Sequence, residues 1–507
     1  MPRVSYGRAL GFHAERHPDR DAVVFEGDVQ APLGRGQRGR SPRGVQQRSF
    51  GDLDRRANRL ARVYAGLGVG RGDLVTIALP NGIEFFEACL AVWRLGATPQ
   101  PVSARLPALE RRAIVDLADP PLVVGAPPGE HEDRTALPPG FEPDPTVEDR
   151  PLPDVTPERA RAMTSGGSTG RPKLIVERTR AECDPEVVEG GMRVGGVTLV
   201  PGPLYHAGPF MTSWQTLLSG GTVVLLPRFD PERSLDAIER HRVEWVLFVP
   251  TMMQRIWRLP EEVRERYDLS SLRRVMCTGA PSPPWLKRAW IEWLGPERIW
   301  EAYGGTERIA GTMISGEEWL THPGSVGRPT GGRRIRILDE EGKECPPGTV
   351  GEVYMMPPGG RGSTYHYVGS EARSTEDGWE TLGDLGYVDE DGYLYLVDRK
   401  TDMIVTGGAN VYPAEVEAAL DAHPAVRSSA VIGLPDEDLG QRVHAIVDAP
   451  DGVEEEALRE HVAERLVRYK IPRSFELVDA PLRDDAGKVR RQALRQERIA
   501  AGARSES

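Results

Sequence analysis

No run of roughly 18 or more apolar residues occurs in the 507-residue chain, which leaves no candidate for a membrane-spanning helix. The opening stretch MPRVSYGRALGFHAERHPDR lacks the apolar core of a secretory signal, so a cytoplasmic location is expected. The four cysteines (Cys89, Cys183, Cys277, Cys345) lie at least 68 residues apart without a CxxC pair. That spacing excludes a disulfide framework and a thiolate zinc site, and it predicts reduced thiols. An excess of positive charge is also missing: 64 basic against 76 acidic residues leave a net charge of −12, so no nucleic-acid partner is expected. Only six of the basic residues are lysines (173, 287, 343, 400, 470, 488). A lysine kept inside a glycine-rich loop of so arginine-biased a chain is a candidate functional group. No internal repeat is present.

What remains is ample material for folded cores. Hydrophobic residues make up 39% and charged residues 28%, and the length exceeds the roughly 150 residues of one domain. SFGDLDRRANRLARVYAGLGV sets Leu53, Ala57, Leu60, Ala61 and Tyr64 at helical spacing, followed by the strand pattern DLVTIALP and a second helix in GIEFFEACLAVWRLGA. Residues 195–300 repeat the alternation with GTVVLLP, EWVLFVP and LRRVMCTGA, which implies parallel α/β layers. From about 330 the pattern becomes short strands punctuated by Glu341-Gly342, Asp377-Gly378 and Asp391-Gly392, as in a compact barrel-like unit. A final α+β stretch follows Asp398. The expected fold is therefore α/β plus α+β. A large unit spans 1–398, with α/β subdomains to about 325 and a β-barrel over 326–398, and a small α+β unit spans 399–507. The Gly/Arg-rich segment 28–47 reads as a mobile surface excursion, and the last dozen residues as frayed.

The sharpest motif is Thr164-Ser165-Gly166-Gly167-Ser168-Thr169-Gly170-Arg171-Pro172-Lys173. Glycines let a backbone approach an anion closely, hydroxyls add donors, and the lysine meets negative charge, a combination suited to a triphosphate. It is not a Walker A loop, since Arg-Pro precedes the lysine where GK[ST] is required. Downstream, Ala302-Tyr303-Gly304-Gly305-Thr306-Glu307 joins an aromatic face for a purine, a hydroxyl for a phosphate and a hard carboxylate for Mg²⁺. Gly383-Asp384-Leu385-Gly386, Asp398-Arg399-Lys400-Thr401-Asp402 and Asp485-Ala486-Gly487-Lys488-Val489-Arg490 follow in order.

In this order, with GGANVYPAEVE at 407–417, the motifs resemble those of the adenylate-forming enzymes: acyl-CoA synthetases, firefly luciferases and peptide-synthetase adenylation domains. The resemblance runs from about residue 5 to 495 and is nearest to the bile-acid and fatty-acid CoA ligase branch. It implies an AMP-forming acid–thiol ligase that uses ATP, Mg²⁺ and CoA, acts on small molecules and works as a monomer or homodimer. By the same resemblance, Thr164, Ser165, Gly166, Gly167, Ser168, Thr169, Gly170 and Lys173 line the phosphates, and Tyr303 with Gly304 meets adenine. Thr306 touches the α-phosphate, Asp384 and Arg399 hold the ribose, and Glu307 with Thr164 holds the metal. The catalytic residues are Lys488, which bridges the carboxylate and α-phosphate oxygens, together with Glu307 and His206. His206 stands at the mouth of an acyl pocket lined by Gly208, Gly279, Ala280 and Gly305, whose small side chains leave room for a bulky or long acyl group. Gly407 and Gly408 belong to the acceptor side, exchanged for Lys488 by rotation about a hinge at Thr401. Two departures stand out: Thr401 replaces the usual Lys or Asp, and the phosphate loop is one residue longer than the commoner form. Some bacterial amide-bond synthetases share the pattern, so an amine is the alternative acceptor.

Overall fold

The computed structural model describes residues 2–28, 43–131, 134–166, 172–484 and 487–505. Its centre is a nine-stranded sheet. Six neighbouring strands are parallel, in the order Ile299–Gly304, Arg274–Cys277, Trp245–Phe248, Val197–Val200, Thr222–Leu225 and Asp21–Asp28. Antiparallel strands close both edges. Strands Thr98–Pro101, Leu74–Ile77, Leu122–Val124 and Thr135–Leu137 form a second, wholly parallel sheet. Helices Phe50–Gly66 and Ile83–Arg94 fill the first hydrophobic core. The first starts where the Ser49 hydroxyl accepts from the Asp52 amide at 3.1 Å, and its stripe Leu53, Ala57, Leu60, Ala61 and Tyr64 is buried throughout. The second is buried on nearly every side, which explains its almost uninterrupted apolar sequence.

The expected barrel takes the form of a five-stranded antiparallel sheet in the order Arg334–Leu338, Gly351–Met356, Glu380–Val388, Arg373–Ser374, with Leu394–Arg399 also on Glu380–Val388. Gly342, Gly378 and Gly392, with φ of 77°, 89° and 78°, turn its connections as the sequence predicts. Beyond it a separate core gathers Ile404, Val411, Val416, Leu420, Val431, Val443, Leu458 and Val462 around the sheet Ser428–Asp436, Gly440–Asp448, Ser474–Val478.

Two expectations are corrected. Residues 45–47 are exposed, as expected, yet they belong to a regular strand: Arg43–Ser49 pairs antiparallel with Asp21–Asp28, from Asp28 opposite Arg43 to Asp21 opposite Ser49. Backbone pairing on an edge strand needs no apolar side chain, so the polar composition concealed it. The rest of that segment, 29–42, lies outside the described residues. The chain end is likewise helical over Arg491–Ser505. It is tied down by Arg495 Nε donating to the Gly433 carbonyl at 2.7 Å and by Arg498 gripping both Glu476 oxygens at 2.8 and 2.9 Å. Among the described residues no helix is long and apolar enough to cross a membrane.

Candidate active site

Strands Ala162–Gly166 and Pro172–Glu177 form a hairpin that places Ser165 opposite Lys173 and Gly166 opposite Pro172. The predicted phosphate motif therefore starts on one strand of this hairpin and ends on the other. Gly167, Ser168, Thr169 and Gly170 in it lie outside the described residues. The loop's fixed end is bolted to the parallel sheet. Thr76 Oγ1 donates to Gln100 Oε1 at 2.6 Å, and Gln100 Nε2 donates to Thr164 Oγ1 at 2.8 Å. Thr76 and Gln100 are both fully buried. With its oxygen accepting from Gln100, the Thr164 hydroxyl has its own proton left to offer an anion.

The next two motifs meet where the nine-stranded and five-stranded sheets approach each other. Tyr303, near the end of Ile299–Gly304, donates its hydroxyl to Asp384 Oδ2 at 2.6 Å. Asp384 stands across a ladder from Arg399, whose Nε is 3.3 Å from Asp384 Oδ1. Burial and the Asp384 carboxylate push the Tyr303 hydroxyl well above its usual pKa, so it stays a donor. Gly304 is exposed beside the Ala310 carbonyl, and Thr306 follows in a half-buried turn. Glu307 is 8% exposed; its Oε1 accepts from the Tyr367 hydroxyl at 2.7 Å and lies 4.0 Å from Lys173 Nζ.

The fourth group comes from the far end of the chain. Gly487 (φ 76°) lies against Val249 and Thr251: a Cβ there would sit 2.7 Å from Thr251 Oγ1 and 3.3 Å from Val249 Cγ2. Lys488 thus enters the cleft at the end of strand Trp245–Phe248. Its side chain remains solvent-accessible within protein walls, and crowding by those walls, then the Arg399 charge, lowers its pKa. Lys173 is lowered in the same way, by burial and then against the pull of Glu307 by Arg399. Arg399 thus acts on both lysines, and Glu307 attracts both, an arrangement suited to a polyanion. His206 precedes helix Ala207–Leu218, and burial followed by the Lys488 charge pushes its pKa down to about 4, leaving it neutral. Its Nε2 is buried without a hydrogen-bond partner among the described residues.

The loop carrying Lys488 is braced from behind. Arg483 donates to the Gly487 carbonyl at 3.3 Å and to Glu417 Oε2 at 3.1 Å. Arg491 forks onto Glu417 and reaches Asp402 Oδ2 at 2.9 Å, and Lys400 Nζ donates to Glu352 Oε2 at 3.3 Å. Thr401 lies between these anchors, exposed, with its hydroxyl 3.5 Å from Asp402 Oδ1. Gly407 and Gly408 turn between strands Ile404–Thr406 and Ala409–Val411; a Cβ on Gly407 would meet Leu439, and on Gly408 nothing within 4 Å.

Of the acyl-pocket candidates, Gly208 and Gly279 face side chains at the sheet end, with a Cβ falling 3.4 Å from Leu247 and 3.3 Å from Val249 respectively. Ala280, half-buried, follows the exposed Gly279 in the same bend. At Gly305 the place of a Cβ is already filled: Leu382 Cδ1 would be 2.5 Å away and Glu307 Oε2 2.7 Å, so this glycine admits neighbouring side chains. Sequence reasoning missed Thr76, Gln100, Tyr367, Arg483 and Arg491. Only the Tyr-x-Tyr alternation at 365–367 carried a signal, that of a strand face.

A phosphate hairpin, a tyrosine–aspartate–arginine cluster, a buried carboxylate and a late lysine converging on one cleft define a nucleotide-handling enzyme. The profile of the AMP-binding enzyme family matches residues 11–362 and that of the AMP-binding enzyme C-terminal domain matches 415–488, so the chain belongs to this adenylate-forming family. A feruloyl-CoA synthase of an Amycolatopsis species is 34% identical over 88% of this chain and 93% of that protein. The o-succinylbenzoate CoA synthetase of Bacillus subtilis, solved with its acyl-adenylate intermediate, superposes with a TM-score of 0.79 at 27% identity, covering 97% of this chain and 98% of that one. An amide bond synthetase from Marinactinospora thermotolerans superposes with a TM-score of 0.77 at 28% identity, covering 97% and 99%.

Proposed function

We propose that the protein activates a carboxylic acid with ATP to an acyl-adenylate and transfers the acyl group to CoA, releasing AMP and diphosphate. The observation that carries this reading is the convergence of Lys173, Arg399 and Lys488 around Glu307 and Asp384. A carboxylate attacking a phosphate must overcome like-charge repulsion, and positioned cations offset it while stabilising the charge that develops. The residues fit Mg²⁺: one buried carboxylate, Glu307, and the Thr164 hydroxyl supply hard oxygens, and Mg²⁺ takes few protein ligands when substrate phosphates complete its shell. When bound, the ion neutralises phosphate charge. Lys173, with Ser165, Ser168 and Thr169 of the phosphate motif, is assigned to the β- and γ-phosphates, Tyr303 and Gly304 to the adenine, Thr306 to the α-phosphate, and Asp384 with Arg399 to the ribose. Lys488 bridges the acid and the α-phosphate.

In this reading the small unit begins at 399, at the end of the strand it shares with the large one. It carries Lys488 into the cleft for adenylation and Gly407-Gly408 for transfer, turning at Thr401. His206, neutral and with a free ring nitrogen, faces the acyl group beside Gly208, Gly279 and Ala280, which suits a bulky or long acid such as a fatty acid. Four free cysteines and the net charge of −12 support a reducing, cytoplasmic setting without nucleic acid; the monomer or homodimer is carried over from the resemblance alone. The fold shared with the amide bond synthetase favours one second reading, an amine as acceptor.

The test supplies wild type and Gly408→Leu with ATP, acid and either CoA or a small amine. A glycine with open space and φ of 80° is where a pantetheine arm passes closest, so the variant is expected to accumulate adenylate without thioester. Amide without thioester from either protein overturns the CoA reading.

A further inference from the structure

We infer that Tyr367 is a positioning residue that holds the Lys173 ammonium and the Glu307 carboxylate apart and ready for their ligands. This rests on the reading of those two groups as the phosphate-holding and metal-holding side chains. Left alone, a lysine and a glutamate at this range close into a contact ion pair, each satisfying the other and both withdrawn from ATP and metal. Here Lys173 Nζ stops 4.0 Å from Glu307 Oε1. Tyr367 occupies both partners instead: its hydroxyl donates to Glu307 Oε1 at 2.7 Å, and its ring face receives Lys173 Nζ 3.8 Å from the centroid. A ring face attracts the cation without consuming its three N–H donors, which stay free for phosphate oxygens. The hydroxyl fixes one carboxylate oxygen, as outer partners of metal ligands do.

The tyrosine is itself held. It lies on strand Tyr365–Val368, paired antiparallel with the strand that carries Lys173, with Tyr367 opposite Ile175. Its ring packs edge-on against Tyr365 at 4.9 Å, and the Tyr365 hydroxyl is tied to Glu380 at 2.9 Å. Thr364 Oγ1 donates to the Glu307 carbonyl at 2.9 Å, so the same strand and its lead-in residue grip Glu307 by backbone and side chain. Burial and the Glu307 charge push the Tyr367 hydroxyl above its usual pKa, and it remains a donor at any working pH.

Two substitutions separate the hydroxyl from the ring. ATP binding is measured at equilibrium without acid, by intrinsic fluorescence or calorimetry, as a function of Mg²⁺ and in EDTA, together with thermal melting. Tyr367→Phe is expected to raise the Mg²⁺ concentration for half-maximal ATP binding about 10-fold or more, with metal-free binding unchanged. Tyr367→Leu is expected to weaken metal-free ATP binding as well, by roughly 2- to 30-fold, because Lys173 loses its seat. A purely structural role lowers the melting temperature but leaves the two binding curves unmoved or shifts them by one common factor. Either pattern in the Phe variant overturns the assignment. Wild-type protein showing no Mg²⁺-dependent ATP binding overturns the adenylation reading, and this inference with it. Metal-dependent wild-type binding with an unmoved Phe variant overturns this inference alone.

Discussion

Gly487→Ala tests whether the docking of the Lys488 loop limits adenylation. In the docked pose an alanine Cβ falls 2.7 Å from Thr251 Oγ1 and 3.3 Å from Val249 Cγ2, so the loop or its seat must shift. The positive φ of 76° adds strain, but that strain travels with the loop and does not distinguish docked from undocked. The clash does, because it exists only while the loop lies on the large unit. Overpacking of this kind costs about 1–3 kcal/mol, which converts to a roughly 5- to 150-fold slower adenylation. The assay is single-turnover diphosphate release for the first half-reaction and thioester formation from supplied acyl-adenylate for the second. Slowing is expected in the first only. The double variant Gly487→Ala/Thr251→Ala removes the hydroxyl at 2.7 Å and should recover most of the loss, leaving the milder Val249 contact. Equal slowing of both half-reactions, or no recovery in the double variant, refutes the reasoning.

Lys488→Ala is expected to slow acyl-adenylate formation about 10²- to 10³-fold while ATP affinity holds, since the contact matters mainly in the transition state; adenylate formed within about tenfold of the wild-type rate removes Lys488 from that role. Glu307→Gln should move the Mg²⁺ titration of ATP binding further than Tyr367→Phe does, because it removes the charge itself, and an unmoved titration takes Glu307 out of the metal site. His206 has a folded pKa of about 4 against 6.5 in the unfolded chain, so the unfolded state binds more protons between those values and stability falls as pH drops through them. Its share is about 2 kcal/mol between pH 7 and pH 5, and His206→Gln should remove that share from the pH dependence of urea unfolding. Parallel pH profiles for the two proteins would show that His206 is not buried as a neutral base.

The features legible in the sequence are those whose chemistry is contiguous. The phosphate hairpin, the Tyr303–Glu307 turn and the Gly487-Lys488 pair each bring glycine, hydroxyl or charge within a few residues, because a close backbone approach must be built locally. Gln100 and Tyr367 were invisible for the opposite reason. Each contributes one polar group from a strand interior, and only the parallel sheet at Thr76 and the pairing of Tyr365–Val368 with Pro172–Glu177 give it a partner. Strand Arg43–Ser49 was missed because its residues are mostly polar and its ladder is made by the backbone, with the Gln47–Asp21 side-chain bond beside it. The terminal helix was missed because its Arg, Gln and Ala residues read as solvent-facing, although they have high helix propensity and Arg495 and Arg498 reach back to the small sheet.

In the proposed reading, the anchors on either side of Thr401 leave the pivot little slack. Lys400 is moored to Glu352 in the large unit and Asp402 to Arg491 in the small one, so the two side chains flanking it answer to different bodies. A reorientation of one body against the other must be absorbed by the torsions of the single residue between them, or must first break either mooring. A Thr at this position, stiff at χ1 and uncharged, adds no third tether to either side. In this reading pivot freedom and ionic strength are coupled: salt that screens these partly exposed pairs loosens the moorings.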